Sequence, residues 1–244
     1  MRIAIISDIH GNIVALDTVL ADIDSERVDH VVCLGDVAEF GPQPREVLAR
    51  LRGLGCPVVM GNTDERLIHP ERAGSLQTNR SDTIEGWIIS LLDDGDRAFI
   101  ATFRPTVEIA LDDGGTLLCC HGSPRSNTEI IRATTPDTEL ALMLGNTTAT
   151  LIAGGHTHQQ LLRRFRNTLF LNPGSVGLPF EERFPSGKVV NPPWAEYAII
   201  SSNNGRLSID LRRVLVDVEA LREAVRASDM PHARWWIKDW VTYQ

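Results

Sequence analysis

Residues 3–12 read IAIISDIHGN: four apolar residues are followed almost at once by Asp8 and His10. A short, β-branched apolar run closed by polar residues predicts a buried strand rather than a helix. Asn12 can cap a helix, and apolar residues continue at helical spacing to about Ile23. The stretch therefore predicts a strand, a turn and a helix, with Asp8 and His10 at the carboxyl end of the strand.

The same arrangement recurs twice further along the chain. Residues 31–34 are a second apolar run, which Gly35 and Asp36 follow. Residues 57–60 are a third, which ends shortly before Asn62. Pro44, with apolar residues at helical spacing after it, predicts a helix between these two runs. Strands that alternate with helices predict a largely parallel sheet covered by helices.

The remainder of the chain predicts a helical segment at 63–103 and then mostly paired strands. These strands are expected at 107–111, 116–120, 149–153, 161–165, 169–171, 197–201 and 207–211, with a helix at 137–144, a Pro- and Gly-rich loop at 173–193 and helical segments at the end. No linker, internal repeat or low-complexity tract interrupts this order. We therefore expect residues 1–244 to form one domain.

Composition and charge exclude several classes of protein. The 244 residues are 43% hydrophobic and 23% charged, which is ordinary for a globular protein and argues against a disordered or fibrous one. Acidic residues number 32 against 24 basic ones, a balance that argues against coating of duplex nucleic acid. No apolar stretch approaches the length that crosses a bilayer, and the first apolar run is too short for a secretion signal.

The four cysteines are Cys33, Cys56, Cys119 and Cys120, and they include no CxxC pair. Buried free thiols in a reducing compartment are the interpretation we favour. Together with the missing secretion signal, this predicts a cytoplasmic protein.

The informative polar residues stand where the predicted strands end. They are Asp8, His10, Asp36, Asn62, His121, His156 and His158. Each has an ordinary explanation when taken alone: Gly-Asp pairs make turns, and an asparagine caps a helix. In open α/β sheets, however, the carboxyl ends of the strands are where a ligand crevice forms. We read the other histidines, at 30, 69 and 232, as surface or cap residues.

The chemistry of this set points to metal ions. Imidazole and carboxylate together suit Mn, Fe, Zn or Ni better than Ca or Mg, which prefer oxygen ligands. Seven ligands are too many for one tetrahedral zinc but fit two ions that share a carboxylate. Two such ions hold a water of lowered pKa and clamp a phosphate. Asp36 is the natural bridge, because its predicted strand lies between those that carry the other two ligand groups.

The motifs DIHGN (8–12), GD (35–36), GNxD (61–64), His121 and GHTH (155–158) together resemble the calcineurin-like metallophosphoesterases. The similarity extends through GDVAEFGPQP, HGSP and NPGSVGLP, so it covers most of residues 1–180. These last segments resemble small prokaryotic phosphoesterases labelled diadenosine tetraphosphatase-like or protein-phosphatase-like. The resemblance implies an α/β (α+β) fold: a four-layer sandwich of two mixed β-sheets flanked by helices.

The resemblance also implies roles for the strand-end residues. Asp8, His10 and His158 would hold a first ion, Asn62, His121 and His156 a second, and Asp36 would bridge them. The ions would be divalent, with manganese expected first and iron, zinc or nickel as alternatives. A metal-bridging hydroxide would attack phosphorus, so no protein side chain is assigned as nucleophile. The implied activity is hydrolysis of a small phosphate ester, phosphodiester or nucleotide.

Two positions depart from the family pattern. Thr63 stands where many members have a histidine that protonates the leaving group, and threonine cannot act as a general acid near neutral pH. Asp64 is then left as a helix-capping carboxylate. Glu39 stands near the place where the protein-phosphatase branch has a phosphate-binding arginine, which disfavours a phosphoprotein phosphatase, although that alternative stays open.

The candidate substrate-binding residues are Asn12, Asn62 and Arg125. Arg125 is the nearest cation in sequence to His121, and a solvated loop arginine is its ordinary explanation. Asn12 at a helix start suits an anion, and simple capping is the alternative.

The partners expected are a small phosphorylated substrate, no duplex nucleic acid and no membrane. The segment ARWWIKDW places Trp236 and Trp240 on one predicted helical face, with Trp235 beside it. It is either a helix docked on the domain or a contact in a homo-oligomer. A scaffold of this fold that has lost catalysis is the alternative to an enzyme.

Overall fold

The structure, a computed structural model, describes residues 1–69, 79–112 and 114–242. The strands are β1 (Arg2–Ile6), β2 (His30–Cys33), β3 (Val107–Ala110), β4 (Thr116–Cys119), β5 (Leu151–Ala153), β6 (Leu161–Phe165), β7 (Thr168–Asn172), β8 (Glu181–Arg183), β9 (Lys188–Val190), β10 (Trp194–Asn203) and β11 (Arg206–Leu215). The helices are α1 (Ile13–Ser25), α2 (Pro44–Leu54), α3 (Asn62–Ile68), α4 (Arg80–Leu91), α5 (Asp94–Ile100), α6 (Asp137–Leu144), α7 (Val218–Ala227) and α8 (Ala233–Ile237).

Two mixed sheets form the centre of the fold. The first has the order β11-β10-β1-β2, with β1 and β2 parallel and β10 antiparallel to both of its neighbours. The second has the order β3-β4-β5-β7-β6, in which β4, β5 and β7 are parallel and the outer pairs antiparallel. The expectation of a largely parallel sheet was therefore wrong, because hairpin strands complete both sheets.

The sheets pack face to face through a core built from alternate residues of each strand. Ile3 and Ile5 of β1 share this core with Leu117 and Leu151 of the second sheet. The alternate residues of β1, Ala4 and Ile6, belong to a second core on the helix side of the first sheet. Both faces of β1 are covered, which is why its apolar run shows no polar alternation.

Helices close the two outer sides. Leu16 of α1, Leu51 of α2 and Leu221 of α7 pack on the outer face of the first sheet. Leu140 of α6 packs with Ile152 on the outer face of the second sheet. The order of layers, helices, sheet, sheet and helix, confirms the four-layer α/β sandwich.

Two predicted segments differ in the structure. Residues 57–60 do not form a full strand: Val58 and Val59 make only isolated bridges, to Cys33 and Arg104. The segment nevertheless lies along β2, so β2 does run between β1 and the segment that leads to Asn62. The loop expected at 173–193 contains the small hairpin β8-β9. In the predicted helical region, residues 70–78 lie outside the described residues.

The tryptophan segment is docked on the domain. Trp236 and Trp240 are buried in the helix-side core, with ring centroids 6.0 Å apart. Trp240 lies beyond the end of α8, so the expected shared helical face is not what joins them. This burial supports the docking interpretation, and a homo-oligomer stays a prediction.

Two further sequence expectations bear on the fold. All four cysteines are free, and Cys33, Cys119 and Cys120 are buried. The longest helix among the described residues is α1, with 13 residues, and no described helix is long and apolar enough to cross a membrane.

Candidate metal centre

Backbone pairing continues past the ends of β1 and β2 and fixes the first loops of the site. The backbone N–H of Asp8 donates to the carbonyl of Gly35 at 2.9 Å, and that of His10 donates to the carbonyl of Asp36 at 3.0 Å. The loops after the two strands therefore run side by side. This register places the Asp8, His10 and Asp36 side chains at one edge of the first sheet.

The second sheet delivers its residues in the same way and meets the first sheet at Gly155. The N–H of Gly155 donates to the carbonyl of His121 at 2.6 Å, and the N–H of His156 donates to Asp8 Oδ2 at 3.1 Å. A Cβ on Gly155 would lie 2.1 Å from Ser7 Oγ. Only glycine allows the two sheets to approach this closely.

Six of the seven predicted ligands form two compact groups. Asp8, His10 and His158 make the first group, and Asp36, His121 and His156 the second. Within each group the potential ligand atoms lie within 4.8 Å of one another.

Asp36 belongs to the second group and also faces the first, and Asn62 lies beside the second group. Asp36 Oδ2 lies 3.4 Å from His121 Nε2 and 3.8 Å from His10 Nε2, so it faces both groups. Asn62 Oδ1 lies 3.1 Å from His121 Nε2, beside the second group. The structure thus brings all seven strand-end residues together.

Backbone carbonyls orient three of the four imidazoles. Nδ1 of His10 donates to the carbonyl of Glu39 at 3.0 Å, Nδ1 of His121 to Leu34 at 2.8 Å, and Nδ1 of His158 to Leu178 at 2.6 Å. A carbonyl oxygen only accepts, so the proton of each neutral ring is on Nδ1. Each Nε2 then presents its lone pair to the centre, as metal-binding histidines do.

This donor set fits a cation. Nε2 of His10 and Nε2 of His158 lie 3.1 Å apart, and in the neutral rings neither nitrogen carries a proton to share. Asp8 Oδ1 is buried beside them and accepts no hydrogen bond from any described residue. The two facing nitrogens and the carboxylate oxygen repel one another unless a proton or a metal ion lies between them.

Without ions, the carboxylates and imidazoles shift one another's pKa values. Burial opposes ionisation of Asp36, yet the adjacent His121 holds the pKa of Asp36 well below its usual range. Burial alone would lower the pKa of His121, but the charges of Asp36 and Asp8 raise it to about 10. Burial and the nearby His158 lower the pKa of His10 to about 4. The carboxylates are therefore ionised at neutral pH and attract positive charge.

The backbone of the centre is strained. Asp8, His10, Asp36, His156 and His158 all have φ between 48° and 69°. Such left-handed conformations are uncommon for residues other than glycine and cluster at functional sites. Five of the seven predicted ligands are therefore held in this conformation by the surrounding fold.

Comparison with known proteins agrees with the geometry of this centre. The family model of the calcineurin-like phosphoesterase superfamily domain matches residues 1–191. The chain belongs to this superfamily. The matched region contains all seven strand-end residues, and β10 and β11, which complete the first sheet, lie beyond it.

One curated protein and two solved structures match nearly the whole of this chain. The uncharacterized protein MJ0912 of Methanocaldococcus jannaschii is 26% identical over 236 residues, 94% of this chain and 93% of its own. A metallophosphoesterase from Sphaerobacter thermophilus has a TM-score of 0.74 at 26% identity, with 98% of this chain and 97% of that chain covered. The hypothetical protein PH1004 from Pyrococcus horikoshii OT3 has a TM-score of 0.80 at 17% identity, with 97% and 96% covered, and shows a shared fold.

Within this calcineurin-like domain, Asp64 supports the loop that carries Asp36. Its carboxylate accepts hydrogen bonds from the N–H groups of Asp36 at 2.8 Å, Val37 at 2.9 Å and Gly61 at 3.1 Å. The last of these bonds is the helix cap expected from the sequence. The other two hold the loop that carries Asp36, a role that only the tertiary structure reveals.

Thr63, at the position of the family's histidine, also faces Asp36. Its N–H donates to Asp36 Oδ1 at 3.0 Å, and the residue is 6% exposed. Its hydroxyl is buried and has no hydrogen-bond partner among the described residues. The structure therefore gives Thr63 a part in orienting the proposed bridge through its backbone.

The predicted substrate-binding residues differ in what the structure offers them. Asn12 is fully buried: its Oδ1 accepts from the N–H of Ala15 and its Nδ2 donates to the carbonyl of Gly177. This supports capping and corrects the expectation of phosphate contact, because no surface of Asn12 is open to a ligand. Arg125 has a 56% exposed side chain that pairs with Glu129, so its phosphate role stays a prediction.

Sequence reasoning missed Arg66, a cation that pairs with Glu39. Its Nη2 donates to both carboxylate oxygens of Glu39, at 2.9 and 2.8 Å. The main-chain carbonyl of Glu39 is the acceptor for His10 Nδ1. The signal available in the sequence was the position of Arg66 on α3, one helical turn beyond Asn62.

Proposed function

We propose that this protein is a hydrolase of phosphoric esters that works with two divalent metal ions, with manganese as the first candidate. The substrate is a small phosphate ester, phosphodiester or nucleotide. One observation carries the proposal: two groups of nitrogen and carboxylate ligand atoms, buried except for the half-buried His156, face each other across Asp36 Oδ2 at spacings that suit a pair of cations.

The ligands follow from this grouping. Asp8, His10 and His158 would hold one ion, His121, His156 and Asn62 the other, and Asp36 would be shared. When bound, such ions lower the pKa of water toward neutrality and neutralise the charge of a phosphate. Imidazole donors favour manganese, iron, zinc or nickel over calcium.

The protein's own groups supply orientation. The backbone carbonyls of Glu39, Leu34 and Leu178 fix three imidazoles before any ion arrives, and the N–H of Thr63 fixes one oxygen of Asp36. Such preorganisation supports catalysis by positioning and charge neutralisation. Threonine gives no proton to the leaving oxygen near neutral pH, so that proton must come from another group or from water.

The test combines metal analysis with two chromogenic esters. The purified protein is analysed for bound metal, and hydrolysis of p-nitrophenyl phosphate and bis-p-nitrophenyl phosphate is measured with manganese, iron, zinc and nickel. We expect about two ions per chain and turnover of at least one ester, with manganese the most effective metal. Absence of both bound metal and turnover would leave the scaffold as the better proposal.

A further inference from the structure

A row of five aromatic rings runs across the first ligand group. The Trp235 and Phe40 ring centroids are 6.0 Å apart, and those of Phe40 and His10 are 6.5 Å apart. The His10 and His158 centroids are 4.8 Å apart, and Phe180 lies 4.8 Å beyond His158. The proposed metal ligands of this group therefore stand between aromatic side chains that bind no metal.

Phe180, at one end of this row, is partly exposed to solvent. Its ring is stacked on His158 with an angle of only 7° between the planes. The residue is nevertheless 40% exposed. His158 covers one face of the ring, and we infer that the opposite face is the one open to a ligand.

Three hydrogen bonds anchor the backbone of the segment that leads to Phe180. The carbonyl of Leu178 accepts from His158 Nδ1 at 2.6 Å, and the carbonyl of Pro179 accepts from Asn191 Nδ2 at 3.0 Å. The N–H of Gly177 donates to the carbonyl of Asp8 at 3.0 Å. A rigid aromatic side chain loses little conformational entropy when a ligand stacks on it.

Phe40 flanks the same group from the side of His10. Its φ of 84° is an outlier for a bulky residue, and such strain persists where the surrounding structure imposes it. The ring meets His10 edge-on and meets Trp235 edge-on. Aromatic surface thus borders both imidazoles of the first group.

We propose that the substrate carries a flat heteroaromatic ring next to its phosphate, as a nucleotide does, and that this ring stacks on the open face of Phe180. This proposal rests on the proposed function, because the phosphate of such a substrate would be held at the metal centre. An aromatic face recognises every base without hydrogen-bond readout, so Phe180 would select nucleotides as a class. In such a substrate the sugar would link the stacked base to the phosphate at the centre.

The test compares two phosphonates that cannot be hydrolysed. Binding of the phosphonate analogue of adenosine monophosphate and of methylphosphonate to the manganese-loaded protein is measured by titration calorimetry. Phe180→Leu keeps an apolar side chain against His158 and removes the flat ring, whereas Phe180→Trp keeps a flat ring. Phe184→Leu is the matched control, since Phe184 is 97% exposed between β8 and β9.

We expect the parent protein to bind the adenosine phosphonate at least about tenfold more tightly than methylphosphonate. Phe180→Leu should lower the affinity for the adenosine phosphonate about tenfold and leave the affinity for methylphosphonate unchanged. Phe180→Trp and Phe184→Leu should keep the parent's preference. Equal binding of the two phosphonates by the parent, or equal weakening of both by Phe180→Leu, would overturn the proposal, because the ring would then only support His158.

The readout separates this proposal from the proposed function. Preferential binding of the adenosine phosphonate without turnover of any ester would support the ring site and contradict hydrolysis. Turnover of p-nitrophenyl esters without any preference between the phosphonates would support hydrolysis and contradict the ring site.

Discussion

The carboxylate of Asp64 accepts a hydrogen bond from the backbone N–H of Asp36 at 2.8 Å. The same carboxylate takes the N–H groups of Val37 and Gly61, so three donors converge on one side chain. Asp64→Asn turns an amide NH₂ toward at least one of these donors. We expect the free energy of unfolding in urea to fall by about 1–3 kcal/mol, because a buried donor loses its acceptor.

A matched control for Asp64→Asn exists in α4. Asp82 also caps a helix as its third residue, but its side chain is only half-buried and the capping hydrogen bond is exposed. Asp82→Asn should change the free energy of unfolding by less than about 0.5 kcal/mol. Manganese affinity should fall for Asp64→Asn and stay unchanged for Asp82→Asn. Equal effects of the two variants on both measurements would mean that Asp64 only caps its helix.

Replacing either of two proposed metal ligands, Asp36 or His121, should abolish catalysis while the protein stays folded. Asp36→Asn removes the charge of the shared carboxylate, and His121→Ala removes one imidazole. Both should lose phosphoesterase activity with manganese supplied, while circular dichroism and the unfolding transition still report a folded protein. Full activity in either variant would refute the ligand assignment.

The close approach of the sheets at Gly155 predicts a steric effect. The added methyl group of Gly155→Ala meets Ser7 Oγ and Asp8 Oδ2, at 2.1 and 2.7 Å in the unrelaxed structure. Overpacking of this kind destabilises a fold by about 1–3 kcal/mol, and here it also displaces Asp8. Gly53→Ala is the control, because a Cβ there meets nothing within 4 Å and the residue lies inside helix α2. We expect Gly53→Ala to be more stable than the parent by about 0.5–1 kcal/mol. A thermal unfolding temperature that is higher for Gly155→Ala than for Gly53→Ala would contradict the steric argument.

Glu196 predicts a pH effect outside the metal centre. Burial raises the pKa of this carboxyl above its ordinary 4.5, although Arg213 Nε lies 3.0 Å from it. The folded state then holds the proton more tightly than the unfolded chain. Its stabilising contribution is complete below pH 4.5 and is lost as the pH rises through the raised pKa.

Glu196→Gln stays neutral and escapes this loss. The free energy of unfolding of the glutamine variant, relative to the parent, should therefore increase between about pH 5 and about pH 8. Urea titrations of both proteins in chelator measure this difference. A relative stability that falls over the same range would show that the ion pair with Arg213 outweighs burial.

Thr63 predicts a dependence on the leaving group. Loss of a general acid typically costs 10²- to 10⁴-fold, and poor leaving groups need that acid most. We expect kcat/KM for a serine phosphopeptide to be roughly 100-fold or more below that for p-nitrophenyl phosphate. Thr63→Val should leave this ratio unchanged, because the Thr63 hydroxyl is buried. Comparable rates on the two substrates would show that another acid replaces the histidine.

The positions of the site residues were predictable because the strands that carry them have strong local signals. The apolar runs of β1 and β2 are buried on both faces. Because the two strands are parallel neighbours, the polar residues that follow them lie at the same edge of the sheet. The apolar pattern at 57–60 predicts a full strand because periodicity does not report how far a backbone ladder extends. Pro57 and Met60 also make backbone hydrogen bonds, but only Val58 and Val59 form bridges, and these are isolated.

What the sequence could not supply were contacts between distant residues. Nothing local indicates that Asp64 takes the N–H of Asp36 or that Arg66 pairs with Glu39, because these contacts depend on how α3 sits beside the Asp36 loop. The same holds for Asn12, whose side-chain amide donates to the carbonyl of Gly177, a residue distant in sequence. Sequence spacing pointed instead to Arg125, which pairs with its own neighbour, Glu129.

The left-handed backbone at five proposed ligands has an evolutionary consequence. Each such residue costs about 1–3 kcal/mol that glycine would largely relieve. A lineage selected for folding alone would therefore drift toward glycine at Asp8, Asp36 and His156, and would gain stability as its centre disappeared. Aspartate and histidine on this backbone therefore cost stability, and a metal centre built from these side chains would account for that cost.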